Sequence, residues 1–228
     1  MNPIIKILIL ADFFVYFGLG LIQPIFAVFI KDQLQDGTLA AAGIAATVFL
    51  ITKAVLQIPI ARFADREPAK IREFWTLVIG YFLIAITPFI YYFITNVTQL
   101  YLTQILYGLG AALSYPGWMA IFAKFADHEH SAFSWSFYST IVMVAMAVAS
   151  AVGGFVGEAY GFRTLFLGVG ALTFLGFFST VGLTLFYKDL RLVNPPGLRS
   201  IRERIVEVVL RHKHSPIPPS ASSGQMPK

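Results

Sequence analysis

The sequence predicts an all-α membrane protein, a bundle of six transmembrane helices. Three observations carry this. Hydrophobic residues make up 57% of the 228 and charged residues only 13%, where a soluble domain carries about a quarter charged. The apolar runs reach the ~20 residues that cross a bilayer core. The remaining charges gather in short loops between those runs and in a C-terminal tail. Without water in the hydrocarbon core, backbone groups must pair within their own segment, so the spans are helices.

The first span is expected over 4–30. Its apolar run is too long for the h-region of a signal peptide, and Asp12 interrupts it, so it is expected to stay in the mature protein. The polar loop 31–38 follows, then a second span over 39–60. The basic stretch 61–73 separates that span from the next. No charged side chain occurs between Phe74 and Ala123. Such a run must fold back once, and Asn96-Val97-Thr98-Gln99 is its one polar cluster. This places the third span at 74–95 and the fourth at 100–124. After the loop 125–131 comes a fifth span over 132–157, a turn over 158–163 and a sixth span over 164–187. The bundle therefore occupies 1–188. The remainder, 189–228, reads as a cytoplasmic tail. Its basic stretch 198–212 suits an amphipathic helix on an anionic leaflet, or one packed under the bundle. Its Pro/Ser-rich end is expected to be disordered.

Lys6, Arg62, Arg66, Lys70, Arg72, Lys124 and the tail fall on one side of this scheme, against Lys31 and Arg163 on the other. Positive loops stay in the cytoplasm, so both termini are expected inside a cell membrane. The same placement accounts for the net charge of +5 without nucleic acid. Cysteine is absent, which excludes disulfides and thiolate metal sites. His128-Glu129-His130 lacks a fourth ligand. No phosphate-binding loop or nucleophile motif occurs. No cofactor, metal or enzymatic activity is expected.

The two halves of the bundle echo each other. Gly18-Leu19-Gly20 recurs as Gly108-Leu109-Gly110, each followed by a proline, Pro24 and Pro116. Asp65, Pro68 and Lys70 after span two match Glu158, Gly161 and Arg163 after span five in spacing. Three spans reverse the topology, so the repeats are inverted, a known transporter device. On span five, Ala145, Ala149, Gly153 and Gly157 recur every four residues, a spacing that lets helices approach closely.

Two charges lie inside the spans. Asp12 sits about 12 Å along span one from Ile4, and Lys53 about 10 Å before Ile60, on antiparallel helices. Such residues are costly alone, so an Asp12–Lys53 pair beside a central cavity is expected. It is either a proton-taking or switching pair, or a static one.

The loop after span two resembles the signature of the major facilitator superfamily, glycine-x-leucine-x-aspartate-arginine-x-glycine-arginine-arginine. Asp65 and Arg66 match its central pair and Lys70 a late basic position. Phe63 stands for the leucine, Ala61 and Pro68 for the glycines, and Ala69 for an arginine. Span four resembles the family's arginine-x-x-glutamine-glycine-x-glycine at Gly108 and Gly110, with Gln104 and Tyr107 in place of the arginine and glutamine. Span five resembles the antiporter pattern at Gly153-Gly154, but Ala149-Ser150 replaces glycine-proline, which removes the argument for antiport. Gly161-Phe162-Arg163 also resembles the family.

The resemblance covers one six-span half of a twelve-span transporter. It implies a secondary transporter, or a half acting as a homodimer or with a second six-helix half, that moves a small solute across the lipid bilayer by alternating access. Proton coupling is one option within this reading. The alternative is a membrane binding or assembly partner, or a truncated transporter half, that does not transport. The resemblance further implies that Asp12, Tyr16, Gln23, Lys53, Gln57, Gln104, Tyr107 and Tyr115 line the solute or proton path. Asp65, Arg66 and Lys70 would form a cytoplasmic gating loop. Gly108, Gly110, Ala149, Gly153 and Gly157 are read as helix-packing positions.

Overall fold

The computed structural model describes residues 2–66, 69–126 and 130–192, without the side chains of 69–70 and 184–192. His128, Glu129, Pro68 and the tail stretch 198–212 lie outside the described residues, as does the side chain of Lys70. Residues 1–187 form one compact unit.

The described residues are helical, with no strand among them. Helix α1 covers Pro3–Ile22 and is capped by Asn2, whose side chain accepts from the Ile4 N–H at 3.0 Å. A 3₁₀ turn, Gln23–Ile25, holds Pro24 and separates α1 from α2, Phe26–Gln33. Proline lacks the N–H that would continue the ladder, so the first crossing bends there. Thr38 caps α3, Leu39–Ala64, by accepting from the Ala41 N–H. Helix α4 covers Ala69–Phe93 and α5 covers Val97–Phe125. Asn96 is the N-cap of α5: its side chain accepts from the Gln99 N–H at 2.9 Å, while Gln99 accepts in return from the Thr95 N–H at 2.8 Å. The polar cluster read as a turn thus already contains the first residues of a helix, because a capping box needs its polar residues on both sides of the boundary.

Helix α6 runs over Ser131–Leu192 with a break at Gly161, where φ is 78° and ψ 165°. This conformation is essentially confined to glycine. The apolar stretch Ser131–Leu183 has 53 residues, about 80 Å of helix, more than twice the ~30 Å hydrocarbon core. It also reverses direction. Met146 and Ala149 abut Gly20, and Val169 and Thr173 abut Gly18. Residues more than twenty apart along α6 therefore meet the same turn of α1. Counted on either side of Gly161, the described residues form six long helical segments.

The Gly-x-Gly repeats mark how the halves interlock. Gly18 and Gly20 of α1 wedge against the two segments of α6, whereas Gly108 of α5 meets Phe49 and Thr52 of α3 and Gly110 meets Gly80 and Leu83 of α4. Each half thus inserts its first helix between the second and third helices of the other. Lipid tails provide no hydrophobic drive between helices, so close van der Waals packing at small residues holds these contacts. Ser150 Oγ adds a 3.3 Å hydrogen bond to the Gly20 carbonyl. At one end of the bundle Phe26, Phe29, Tyr91 and Phe166 form a buried aromatic cluster. At the same end the Gln35 N–H donates to the Thr95 carbonyl at 2.9 Å, joining two loops. At the other end Lys124 pairs with Glu73 at 2.5 Å, tying α5 to α4. Few residues of α3 are buried, namely Ala41, Ala45 and Ala64.

Candidate functional site

Five helices close around a cavity of about 410 Å³ in the middle of the bundle. Its chemistry starts from Asp12, a carboxylate 4% exposed on the mostly apolar helix α1. A buried carboxylate needs donors on both oxygens. It finds them on two distant tyrosines: the Tyr81 hydroxyl of α4 donates to Oδ1, and the Tyr138 hydroxyl of α6 donates to Oδ2 at 2.6 Å. These bonds tie α1 to elements 69 and 126 residues away in sequence.

Lys53 lines the same cavity from α3. It makes no ion pair with Asp12. Its ammonium lies 4.8 Å from the centroid of the Tyr115 ring, a cation–π arrangement. The expected Asp12–Lys53 pair does not form, because equal depth does not fix the direction a side chain takes around its helix. Asp12 turns toward α4 and α6, Lys53 toward α5.

Tyr16, Tyr107 and Tyr115 complete the polar lining, and Phe49 stacks on Tyr107 at 4.5 Å to make an apolar wall. On the cavity wall, Trp118, Trp135 and Tyr138 stack with Phe122 into one aromatic cluster with centroids 4.3–6.4 Å apart. Trp118 is buried, and its indole N–H has no acceptor among the described residues.

Gln23, Gln57 and Gln104 do not line the cavity. Gln23 is exposed on the 3₁₀ turn. Placing it on one helix face with Asp12 and Tyr16 assumes a continuous helix, and Pro24 ends that continuity. Gln57 is half-buried one turn beyond Lys53. Gln104 is buried beside the Tyr91 hydroxyl, outside the cavity wall. Asp65 is the C-cap of α3, its N–H bonded to Ala61 O. Arg66 N–H reaches Phe63 O at 3.3 Å, and Arg72 lies 4.7 Å over the Phe63 ring. Tyr81 and Tyr138 are the site residues that a reading of helix stripes misses. Their signal was position: a tyrosine deep inside an apolar span cannot belong to the interfacial belt and needs a partner for its hydroxyl.

The family profile described as Major Facilitator Superfamily matches residues 8–219. The chain belongs to this superfamily. Among curated relatives, the Quinolone resistance protein NorA of Staphylococcus aureus (strain Mu50 / ATCC 700699) is 25% identical over 183 residues, 80% of this chain and 45% of the relative. The Multidrug resistance protein 1 of Bacillus subtilis (strain 168) is 25% identical over 159 residues, 70% of this chain and 39% of the relative. This member of the superfamily thus spans less than half the length of these relatives. Family membership and the apolar helices make it a multi-pass membrane protein.

Proposed function

We propose that the chain is one half of a secondary transporter of the plasma membrane. It moves a small solute by alternating access once a second six-helix half faces it, in the simplest case another copy. Both termini lie in the cytoplasm. The observation that carries this reading is the polar cavity itself. Asp12, Lys53 and several tyrosine hydroxyls sit at membrane depth around one space, and such groups tolerate lipid only where they face protein or water. Parallel halves related about the membrane normal allow a two-fold copy to supply the opposing wall. Asp12 is the carboxylate on which proton coupling acts, exchanging its proton as the contacts to Tyr81 and Tyr138 open and close. Asp65, Arg66 and Lys70 serve as the loop that holds the cytoplasmic side closed.

The test is flux. The full chain is reconstituted in proteoliposomes with an imposed pH gradient, and uptake from a panel of labelled solutes is followed beside Asp12→Asn. The reading expects gradient-driven uptake that Asp12→Asn uncouples, together with a cross-linkable dimer in the same vesicles. A monomer without flux for any solute would replace it with a non-transporting membrane binding partner.

A further inference from the structure

The cavity carries an unequal set of groups. Its carboxylate is already satisfied, since each Asp12 oxygen accepts a tyrosine hydroxyl. Its ammonium has no anionic partner among the described residues. Lys53 lies about 21 Å from the start of α3 and about 16 Å from its end, further than a lysine stem reaches to either interface. It remains partly exposed, and the neighbouring Tyr115 is 43% exposed. The charge left open to an incoming solute is therefore positive. Beside it the wall is flat and apolar, formed by Phe49 stacked on Tyr107 at an interplanar angle of 20°. A space of about 410 Å³ falls within the range of small-molecule sites.

From this juxtaposition we propose that the cavity selects an amphiphilic organic monoanion, with its carboxylate on Lys53 and its flat apolar body against Phe49 and Tyr107. The inference deepens the transport reading by naming its substrate class and rests on the same cavity. An ammonium without an anionic partner favours a carboxylate, because a charge-assisted hydrogen bond is about twice as strong as a neutral one. The Tyr115 ring holds the ammonium in place before the solute arrives, so little is lost in orienting it. A cationic solute meets an uncompensated Lys53 and is rejected.

The test is equilibrium binding to the full chain in lipid nanodiscs, with empty nanodiscs subtracted. It needs no flux, so a failed transport assay leaves it intact. The probes are 2-naphthoate, its neutral amide and 2-naphthylmethylammonium, which share one ring system. The proposal expects 2-naphthoate to bind at least about tenfold tighter than the amide, and the ammonium weakest. Lys53→Gln is expected to erase the preference for the acid. Lys53→Arg is expected to keep it. Tyr115→Phe, which keeps the ring, serves as a second variant expected to retain the preference. Equal binding of acid and amide, tighter binding of the ammonium, an unchanged preference in Lys53→Gln, or no binding of any probe would each overturn the proposal.

Discussion

Gly153 and Gly154 are adjacent, yet replacing each by alanine is expected to have opposite consequences. A Cβ on Gly153 would stand 2.0 Å from the Leu21 carbonyl oxygen and 2.6 Å from its carbon, both backbone atoms of α1. Ordinary contact begins near 3.4 Å, so the two helices would have to part by more than 1 Å, and no flexible side chain can yield instead. Overpacking of this kind costs about 1–3 kcal/mol. In lipid this close packing is itself what holds helices together. A Cβ on Gly154 meets nothing within 4 Å. Gly154→Ala is expected to be neutral or stabilising by up to about 1 kcal/mol through helix propensity. The assay is thermal unfolding in detergent followed by intrinsic fluorescence of the three tryptophans. Gly153→Ala should melt at least about 2 °C below the parent and Gly154→Ala at or above it. Equal midpoints for the two variants would refute the claim that spans one and five meet backbone to backbone at this turn.

Gly161→Ala places a side chain in a glycine-only conformation, and a stability loss of about 1–3 kcal/mol is expected in the same melting assay. Lys124→Ala leaves the buried Glu73 carboxylate without its partner. It should cost about 1–3 kcal/mol, and adding Glu73→Gln should recover part of the loss, measured as a double-mutant cycle. Asp12→Asn offers one acceptor oxygen where two hydroxyls now donate, so one of Tyr81 and Tyr138 loses its acceptor. Infrared spectra of the tyrosine band should then show one hydroxyl freed, whereas Tyr138→Phe should leave the Tyr81 bond intact.

The crossings were legible because charges punctuate them. Arg62 to Arg72 and Lys124 to His130 bracket apolar runs of the right length. The fold-back inside α6 was legible as well, since Glu158 to Arg163 interrupts an otherwise apolar stretch, and Gly161 is where the backbone breaks. Asp12 and Lys53 stood out as charges in apolar runs, but their partners did not. Depth along a helix follows from residue count, whereas azimuth depends on which neighbours pack there. Tyr81 and Tyr138 come from helices that no local pattern links to Asp12. Gln23 shows the reverse error, a periodic stripe extended through a proline that ends the period.

Transport through this cavity requires a wet, polar space within the membrane, reached by Lys53 of α3 and Tyr115 of α5. The absence of cysteine makes single-cysteine labelling direct. Lys53→Cys and Tyr115→Cys, in native membranes, are predicted to react with a charged, membrane-impermeant methanethiosulfonate. Phe178→Cys and Leu102→Cys, on outward apolar surfaces 61% and 63% exposed, are predicted to stay unreactive. If Lys53→Cys and Tyr115→Cys proved as inert as Phe178→Cys, the space would hold no water and the account would be contradicted.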